Sequence, residues 1–213
     1  MNMVVLTGFY NAEKYIERCI GSIMGQTFGD FTCYITHDLS TDNSVNLVKE
    51  MIKGDDRFIL IDDNEKKLYQ AGNFDKVIRN NKNIRDNDVL VEVDGDDYLP
   101  DSKVFDRIND VYKNENIWIA NGSFRYHNGP VGFSSKQTNF DILRKTNFTA
   151  SHIRTWRAFL WRNIKEEDLR DDNGDYWQWS GDLCFMYPML EMSGEEHYHF
   201  MTDINYVYNA ENP

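Results

Sequence analysis

An acidic turn follows a short apolar run near the middle of the chain. In the segment from Leu90 to Pro100, the turn Asp94-Gly95-Asp96-Asp97 places three carboxylates directly after a predicted buried strand. Carboxylates this close repel one another, and the arrangement is costly unless a cation lies among them. Hard oxygen ligands favour Mg²⁺ or Mn²⁺ over zinc. The turn therefore predicts a divalent-cation site, and a solvated acidic cap of the next helix is the alternative.

Another acid ends an earlier predicted strand. The segment from Tyr34 to Ser44 is typical of a strand that ends at Asp38, followed by a turn and a capped helix. In the functional interpretation, Asp38 accepts a hydrogen bond from a nucleobase N–H while Asp42 and Ser44 are structural. In the alternative interpretation, the whole turn is structural.

The elements that must position these acids alternate along the first half of the chain. Apolar runs and helical spacing predict four strands with helices between them, which is typical of a parallel α/β sheet; the strands are Met3–Thr7, Phe31–Thr36, Phe58–Ile61 and Asp88–Val93. Ligands of such sheets bind at the carboxyl ends of the strands. Asp38 and Asp94 both follow a carboxyl end, so we expect them to share one crevice.

The second half of the chain has a less regular pattern. It predicts a mixture of helices, strands and one loop: a helix at Ser102–Tyr112, a strand at Ile117–Ala120, a loop at Tyr126–Asn139, helices at Thr155–Trp161 and Leu183–Met192, and a strand at His197–Val207. The 213 residues fit a single domain. The chain stops at Pro213 without a helix end or a charged tail, which indicates a domain taken from a longer protein.

Composition excludes several classes of partner. The formal net charge of -12 argues against nucleic acid and anionic membranes. An acidic protein that binds a diphosphate needs a divalent cation to offset the repulsion. The three cysteines are widely spaced, so neither a disulfide framework nor a zinc site is indicated. The chain has no apolar run long enough to span a membrane and no signal peptide, which predicts a cytoplasmic protein.

Three ordered motifs resemble the family 2 glycosyltransferases of the GT-A fold, and most closely their chlorella-virus members. The motifs are Thr7 to Asn11 with Tyr15-Ile16, Asp38 to Ser44, and Asp94 to Pro100. The resemblance implies a single GT-A domain over 1–213, with a nucleotide-binding half at 1–112 and an acceptor-binding half at 113–213. If the protein is viral, its compartment is the host cytoplasm.

The resemblance also implies a reaction and a set of ligand-binding residues. The reaction is a metal-dependent inverting transfer of a hexose or deoxyhexose from a UDP-sugar to a hydroxyl of a glycan or glycoprotein. Mn²⁺ or Mg²⁺ is the cofactor, with Asp96 and Asp94 as its ligands; His152, from the basic stretch after the turn, is a further candidate ligand, and a structural role is its alternative. The implied nucleotide-binding residues are Thr7, Phe9, Tyr10, Asp38, Lys67 (or its neighbour Lys66), Asp94 and Gly95. His37 and Leu39 depart from the family pattern.

Inverting transfer also needs a base and a place for the acceptor. One carboxylate must take the proton of the acceptor hydroxyl, and by resemblance this is Asp182, with Asp175 as second choice. The alternative role of Asp182 is the N-cap of the following helix. Trp177 and Trp179 precede it, and either sugar C–H faces stack on these rings or the rings belong to the core. The basic stretch from His152 to Arg157 is predicted to contact diphosphate or metal from a closing loop.

Two other functions remain open at this point. A nucleotidyltransferase on a related fold would need an early Gly-rich phosphate loop with Lys or Arg, and Thr7 to Glu13 holds a single glycine. A non-catalytic carbohydrate-binding domain would keep the aromatic residues and would have no need for Asp94, Asp96 and Asp182 together.

Overall fold

A computed structural model of the protein describes residues 2–211, so the chain end at Pro213, from which a longer protein was predicted, lies outside the described residues. One sheet of seven strands forms the centre, in the order β3-β2-β1-β4-β6-β5-β7. The strands are β1 Met3–Phe9, β2 Phe31–His37, β3 Phe58–Ile61, β4 Val89–Glu92, β5 Ile119–Tyr126, β6 Arg154–Arg157 and β7 Tyr198–Tyr208. Pairing is parallel among β1 to β4 and between β5 and β7, whereas β6 runs opposite to both of its neighbours. The fold is thus a mostly parallel α/β sheet, as predicted.

Within residues 2–211, six α-helices flank the sheet. They are α1 Ile16–Met24, α2 Ser44–Met51, α3 Tyr69–Asn80, α4 Val104–Tyr112, α5 Ala158–Arg162 and α6 Gly181–Ser193. Of these described helices, none is long and apolar enough to cross a membrane.

The core has two layers, one on each face of the sheet. Met3 and Val5 of β1 pack with α1, α2 and α4, whereas Val4 and Leu6 pack with α3, α5 and α6. Successive side chains of a strand point to opposite faces, so a strand covered on both faces is an unbroken apolar run. This is why β1 and β4 were readily predicted from the sequence.

Two sequence predictions need correction. The predicted helix at Thr155–Trp161 is wrong in its first part, because Arg154–Arg157 is strand β6 and the helix begins at Ala158. Arg154 and Arg157 are buried in this strand, so the basic stretch is part of the sheet and not a closing loop. The position of Asn11 before Tyr15-Ile16 predicts an N-cap of the first helix, which is also wrong. Helix α1 begins at Ile16, and Asn11 Oδ1 accepts a hydrogen bond from the Thr41 amide at 2.7 Å.

The direction of β6 has a consequence for the carboxyl edge of the sheet. An antiparallel strand begins where its neighbours end. Thr155 pairs with Val91, which puts Arg154 beside Glu92 and the preceding His152 beside the acidic turn. Two basic side chains therefore reach the edge where the acids of β4 emerge.

Candidate active site

The acidic turn after β4 is held tightly against the end of β1. The Gly95 amide donates to the Gly8 carbonyl at 3.0 Å. A Cβ at Gly95 would lie 2.5 Å from Phe9 Cβ and 3.0 Å from the Gly8 oxygen, so this position has no room for a side chain. The Asp94 amide donates to the Tyr206 hydroxyl at 3.0 Å. These contacts fix the backbone from which Asp94 and Asp96 project.

Asp94 is surrounded by polar partners. His152 Nε2 lies 3.2 Å from Asp94 Oδ2, and Gln70 Nε2 donates to Asp94 Oδ1 at 2.8 Å. Burial alone would raise the pKa of Asp94, but the His152 and Gln70 bonds and the nearby Arg154 charge outweigh burial and lower it. Burial lowers the pKa of His152 despite its carboxylate neighbour. At neutral pH the pair is thus a carboxylate beside a neutral imidazole.

These groups fit a divalent cation. Ligand atoms of Glu92, Asp94 and His152 lie within 4.8 Å of one another. Glu92 already has a cation, since Arg154 Nη1 lies 2.8 Å from its Oε1, so it is the weakest candidate of the three. The hydrogen-bond donor to Asp94 is the neutral amide of Gln70, and Asp96 lines the same cavity as Asp94. Carboxylate and imidazole ligands suit Mn²⁺, and Mg²⁺ is held by one or two carboxylates with water and phosphate.

A buried arginine joins two carboxylates that come from different elements. Arg154 Nη1 donates to Glu92 Oε1 at the end of β4, and Arg154 Nη2 donates to Asp182 Oδ2 in the first turn of α6 at 2.6 Å. Glu92 is fully buried, and burial together with the charges of Asp94 and Asp182 raises its pKa to about 8 against the lowering effect of Arg154. The arginine therefore ties the start of α6 to the acidic turn.

Asp38 lies just after the end of β2, on the same edge of the sheet as the acidic turn. Its Oδ1 accepts hydrogen bonds from the amides of Leu68 at 2.7 Å and Tyr69 at 3.2 Å, and from Asn73 Nδ2 at 3.2 Å. Three donors on one oxygen fix the orientation of the carboxylate at the N-terminus of α3. Lys67 extends over the ring of Tyr10, with its Nζ 3.5 Å from the ring centroid.

Two cavities share one wall at the end of β1. The Asp38 cavity, of about 430 Å³, is also lined by Lys67, Gln70, Gln178 and Trp179. The Asp94 cavity, of about 470 Å³, is also lined by Asp96. The shared wall is Gly8, Phe9 and Tyr10. The two cavities are thus neighbouring parts of one cleft along the carboxyl edge, as expected for Asp38 and Asp94.

A third cavity of about 530 Å³, here called the tryptophan cavity, adjoins this cleft through Trp179. Trp177 and Trp179 both line it, and Trp179 lines the Asp38 cavity as well. The side chain of Trp179 is 77% exposed and that of Trp177 is 41% exposed, so neither ring belongs to the core. The cavity runs along α6 past Leu183 and Cys184, which follow Asp182 directly.

Two other candidate residues lie apart from the cleft. Thr7 is fully buried, and its hydroxyl lies 3.8 Å from Cys33 Sγ. Asp175 belongs to an exposed turn, where its nearest cation is Lys66 at 3.4 Å. Thr7 and Asp175 are absent from the residues that line the three cavities described above.

Sequence reasoning missed Glu92, Gln70 and the role of Arg154. An acid inside the apolar run of β4 was a visible signal, because a buried carboxylate requires a partner. The partner was not identifiable, since Arg154 had been assigned to a loop followed by a helix. Nothing in the sequence around Gln70 indicates that this residue contacts the acidic turn.

Comparisons with known proteins identify relatives for most of the chain. A model of the family described as Glycosyl transferase family 2 matches residues 4–172. The dTDP-rhamnosyl transferase RfbG of Shigella flexneri is 31% identical over 139 residues, which are 63% of this chain and 48% of RfbG. The teichoic acid poly(glycerol phosphate) polymerase of Staphylococcus epidermidis is 43% identical over 65 residues, which are 29% of this chain and 9% of that protein.

A solved structure shares the whole fold. The crystal structure of S. aureus TarS 1-349 in complex with UDP-GlcNAc has a TM-score of 0.74 and 16% identity, and covers 100% of this chain and 60% of the TarS chain. This likeness shows the GT-A fold. The chain spans less than two thirds of the length of each of these relatives. The finer resemblance to chlorella-virus members stays a prediction.

Proposed function

This chain belongs to glycosyl transferase family 2, and on that premise we propose that it transfers a hexose or deoxyhexose from a UDP-sugar to an acceptor hydroxyl, with inversion and with Mn²⁺ or Mg²⁺. The observation that carries the proposal is the single cleft that contains Asp38 at one end and Asp94 and Asp96 at the other. A nucleotide-sugar has a base and a diphosphate, which are separated by a ribose and require such a pair of subsites.

The Asp38 cavity takes the nucleotide base. A carboxylate whose Oδ1 is held by three donors has Oδ2 available for the N3–H of uracil. Phe9 and Tyr10 form the wall along which the base lies, and Lys67 neutralises negative charge at the rim. The choice of uracil is supported by TarS, which was solved with UDP-GlcNAc and with UDP. Gly95 lets the acidic turn approach the end of β1, and so the Phe9 wall of the nucleotide site, without a side chain between them.

The Asp94 cavity takes the diphosphate and its cation. Asp94, Asp96 and His152 would hold the metal, and the positive charge supplied there would offset that of the diphosphate and stabilise the leaving group. Gln70 holds Asp94 in place through a 2.8 Å hydrogen bond, and the Tyr206 hydroxyl accepts the Asp94 amide. These contacts keep the ligand carboxylate oriented before the donor arrives, which lowers the reorganisation required during transfer.

Asp182 is the base. It takes the proton of the acceptor hydroxyl as that oxygen attacks the anomeric carbon from the face opposite the leaving diphosphate. Arg154 binds Oδ2 of this carboxylate at 2.6 Å, which leaves Oδ1 for the hydroxyl. The acceptor, a glycan or glycoprotein, is positioned by Trp177 and Trp179 next to this helix turn.

A donor-hydrolysis screen tests the proposal, because slow hydrolysis needs no acceptor. UDP-sugars, dTDP-rhamnose and GDP-mannose are each incubated with the protein and Mn²⁺, and release of the nucleoside diphosphate is measured. We expect release from at least one UDP-sugar, lost on chelation of the metal. Release from GDP-mannose alone would contradict the assignment of Asp38. Absence of both release and UDP binding would favour a carbohydrate-binding domain, and pyrophosphate release from a nucleoside triphosphate with sugar phosphate would favour a nucleotidyltransferase.

A further inference from the structure

The tryptophan cavity lies beside the cleft that contains Asp38 and Asp94. Its volume of about 530 Å³ falls within the roughly 300–1,000 Å³ that small-molecule sites occupy. Trp179 lines both this cavity and the Asp38 cavity, so a molecule in either one contacts the same ring. The cavity therefore adjoins the cleft in which the sugar would be transferred.

The aromatic rings of the cavity indicate a sugar as its ligand. A tryptophan that is 77% exposed leaves a large apolar face in water, which is costly unless a ligand covers it. Sugars present apolar C–H faces that stack on such rings while their hydroxyls bind polar groups. Trp177 and Tyr187 add two further rings, and acidic and basic side chains supply polar groups at the rim.

The charges around the cavity decide which sugars it accepts. Arg144 and Arg170 line it, but each is already bound through two nitrogens to a glutamate: Arg144 to Glu191 and Arg170 to Glu166. These two glutamates lie outside the lining, and the acids that line the cavity are Glu167 and Asp168.

Lys165 also lies outside the lining, with its Nζ 3.7 Å from Glu167 Oε1. When the ion-pair partners of the lining residues are counted with them, four carboxylates oppose three cations, and both arginines that could bind a phosphate in a forked geometry are occupied. A ligand with its own carboxylate or phosphate would meet net repulsion.

We propose that the tryptophan cavity binds a neutral saccharide unit of the acceptor and discriminates against acceptors that carry a carboxylate or phosphate there. The inference rests on the proposed function, because it names the substrate class of the acceptor site. Leu183 and Cys184 line the cavity directly after Asp182 along α6. When one saccharide unit of the acceptor is bound in this cavity, the next unit of the same chain reaches Asp182.

Binding is measured by saturation-transfer NMR on the full chain with saturating UDP and Mn²⁺. The probes are methyl β-glucoside, cellobiose, lactose and maltose, together with methyl β-glucuronide and glucose 6-phosphate as charged counterparts. We expect at least one neutral sugar to bind about tenfold more tightly than the charged ones, and Trp179→Ala to weaken it about tenfold. Phe133→Ala is the matched control, since this ring is 61% exposed and lies outside the cavity, and it should leave sugar binding unchanged.

A charge-neutralisation test addresses discrimination directly. Replacing both lining acids, Glu167→Gln with Asp168→Asn, should improve binding of methyl β-glucuronide about threefold and leave the neutral glucoside as it was. Equal or tighter binding of the charged probes by the unmodified protein would overturn the inference, as would sugar binding that Trp179→Ala does not reduce or no binding of any neutral probe.

The same samples separate this inference from the proposed function. UDP affinity with and without Mn²⁺ is recorded first. If UDP binds in a metal-dependent way but neutral sugars do not bind, the acceptor inference alone fails. If UDP does not bind at all, the proposed function fails whatever the sugars do.

Discussion

Substituting Gly95 by alanine perturbs the contact between the acidic turn and the end of β1, where the two cavities of the cleft meet. The added Cβ would lie 2.5 Å from Phe9 Cβ, 3.0 Å from the Gly8 carbonyl oxygen and 3.3 Å from Ile16 Cδ1. Ordinary contacts between such atoms are about 3.5–4.0 Å, so the turn and the end of β1 must separate by about 1 Å at the Phe9 contact. The backbone oxygen of a central strand does not yield without loss of the 3.0 Å hydrogen bond from the Gly95 amide.

The expected loss of stability follows from overpacking of the region around Gly95. Inserting a methyl group into a packed region costs about 1–3 kcal/mol of unfolding free energy, and we expect urea denaturation of the variant to show a loss of this size. Because Phe9 lines both cavities, its displacement should also weaken UDP binding in the presence of Mn²⁺ about tenfold or more. Isothermal titration calorimetry measures that loss.

The matched control is Gly21→Ala. A Cβ at Gly21 in the interior of α1 meets no atom within 4 Å. Alanine is the better helix former, so this variant should gain about 0.5–1 kcal/mol with UDP affinity unchanged. A Gly95→Ala variant as stable as the unmodified protein, with the same UDP affinity, would refute the reasoning on the turn.

Three further variants test the separate roles of the site. Asp182→Asn should leave UDP affinity intact and lower the transfer rate at least about a hundredfold; surviving transfer would remove Asp182 as the base. Arg154→Lys should lower kcat about tenfold with UDP affinity unchanged, because lysine cannot bind Glu92 and Asp182 with two forked nitrogens; a change in KM alone would contradict this. Asp38→Ala should weaken UDP more than it weakens pyrophosphate with Mn²⁺, and equal losses would remove Asp38 from the base subsite.

Much of the sheet was predictable because its strands are covered on both faces. Residues 89–92 and 58–61 form β4 and β3 where the apolar runs indicated. The shared edge of Asp38 and Asp94 followed from the rule that parallel strands end on one side. Each of these inferences depends on local patterns or on a general property of α/β sheets.

The second half was harder because its contacts are not local. Thr155 to Trp161 has the spacing of a helix, yet the first residues pair with β4 and β5 as strand β6. Tertiary pairing overrode local propensity there. Only this antiparallel strand brings Arg154 between Glu92 and Asp182, which are 90 residues apart in sequence. No pattern within one segment could reveal that network.

The central claim is that a divalent cation and a nucleotide diphosphate bind together at Asp94 and Asp96. The most direct measurement is calorimetric titration of UDP with Mn²⁺ and with chelator, for the unmodified protein and for Asp96→Asn. The account predicts binding that requires Mn²⁺ and is lost in the variant, while its thermal unfolding without ligand stays close to that of the unmodified protein. UDP binding of equal strength with chelator, or a variant that binds Mn²⁺ and UDP as before, would contradict it.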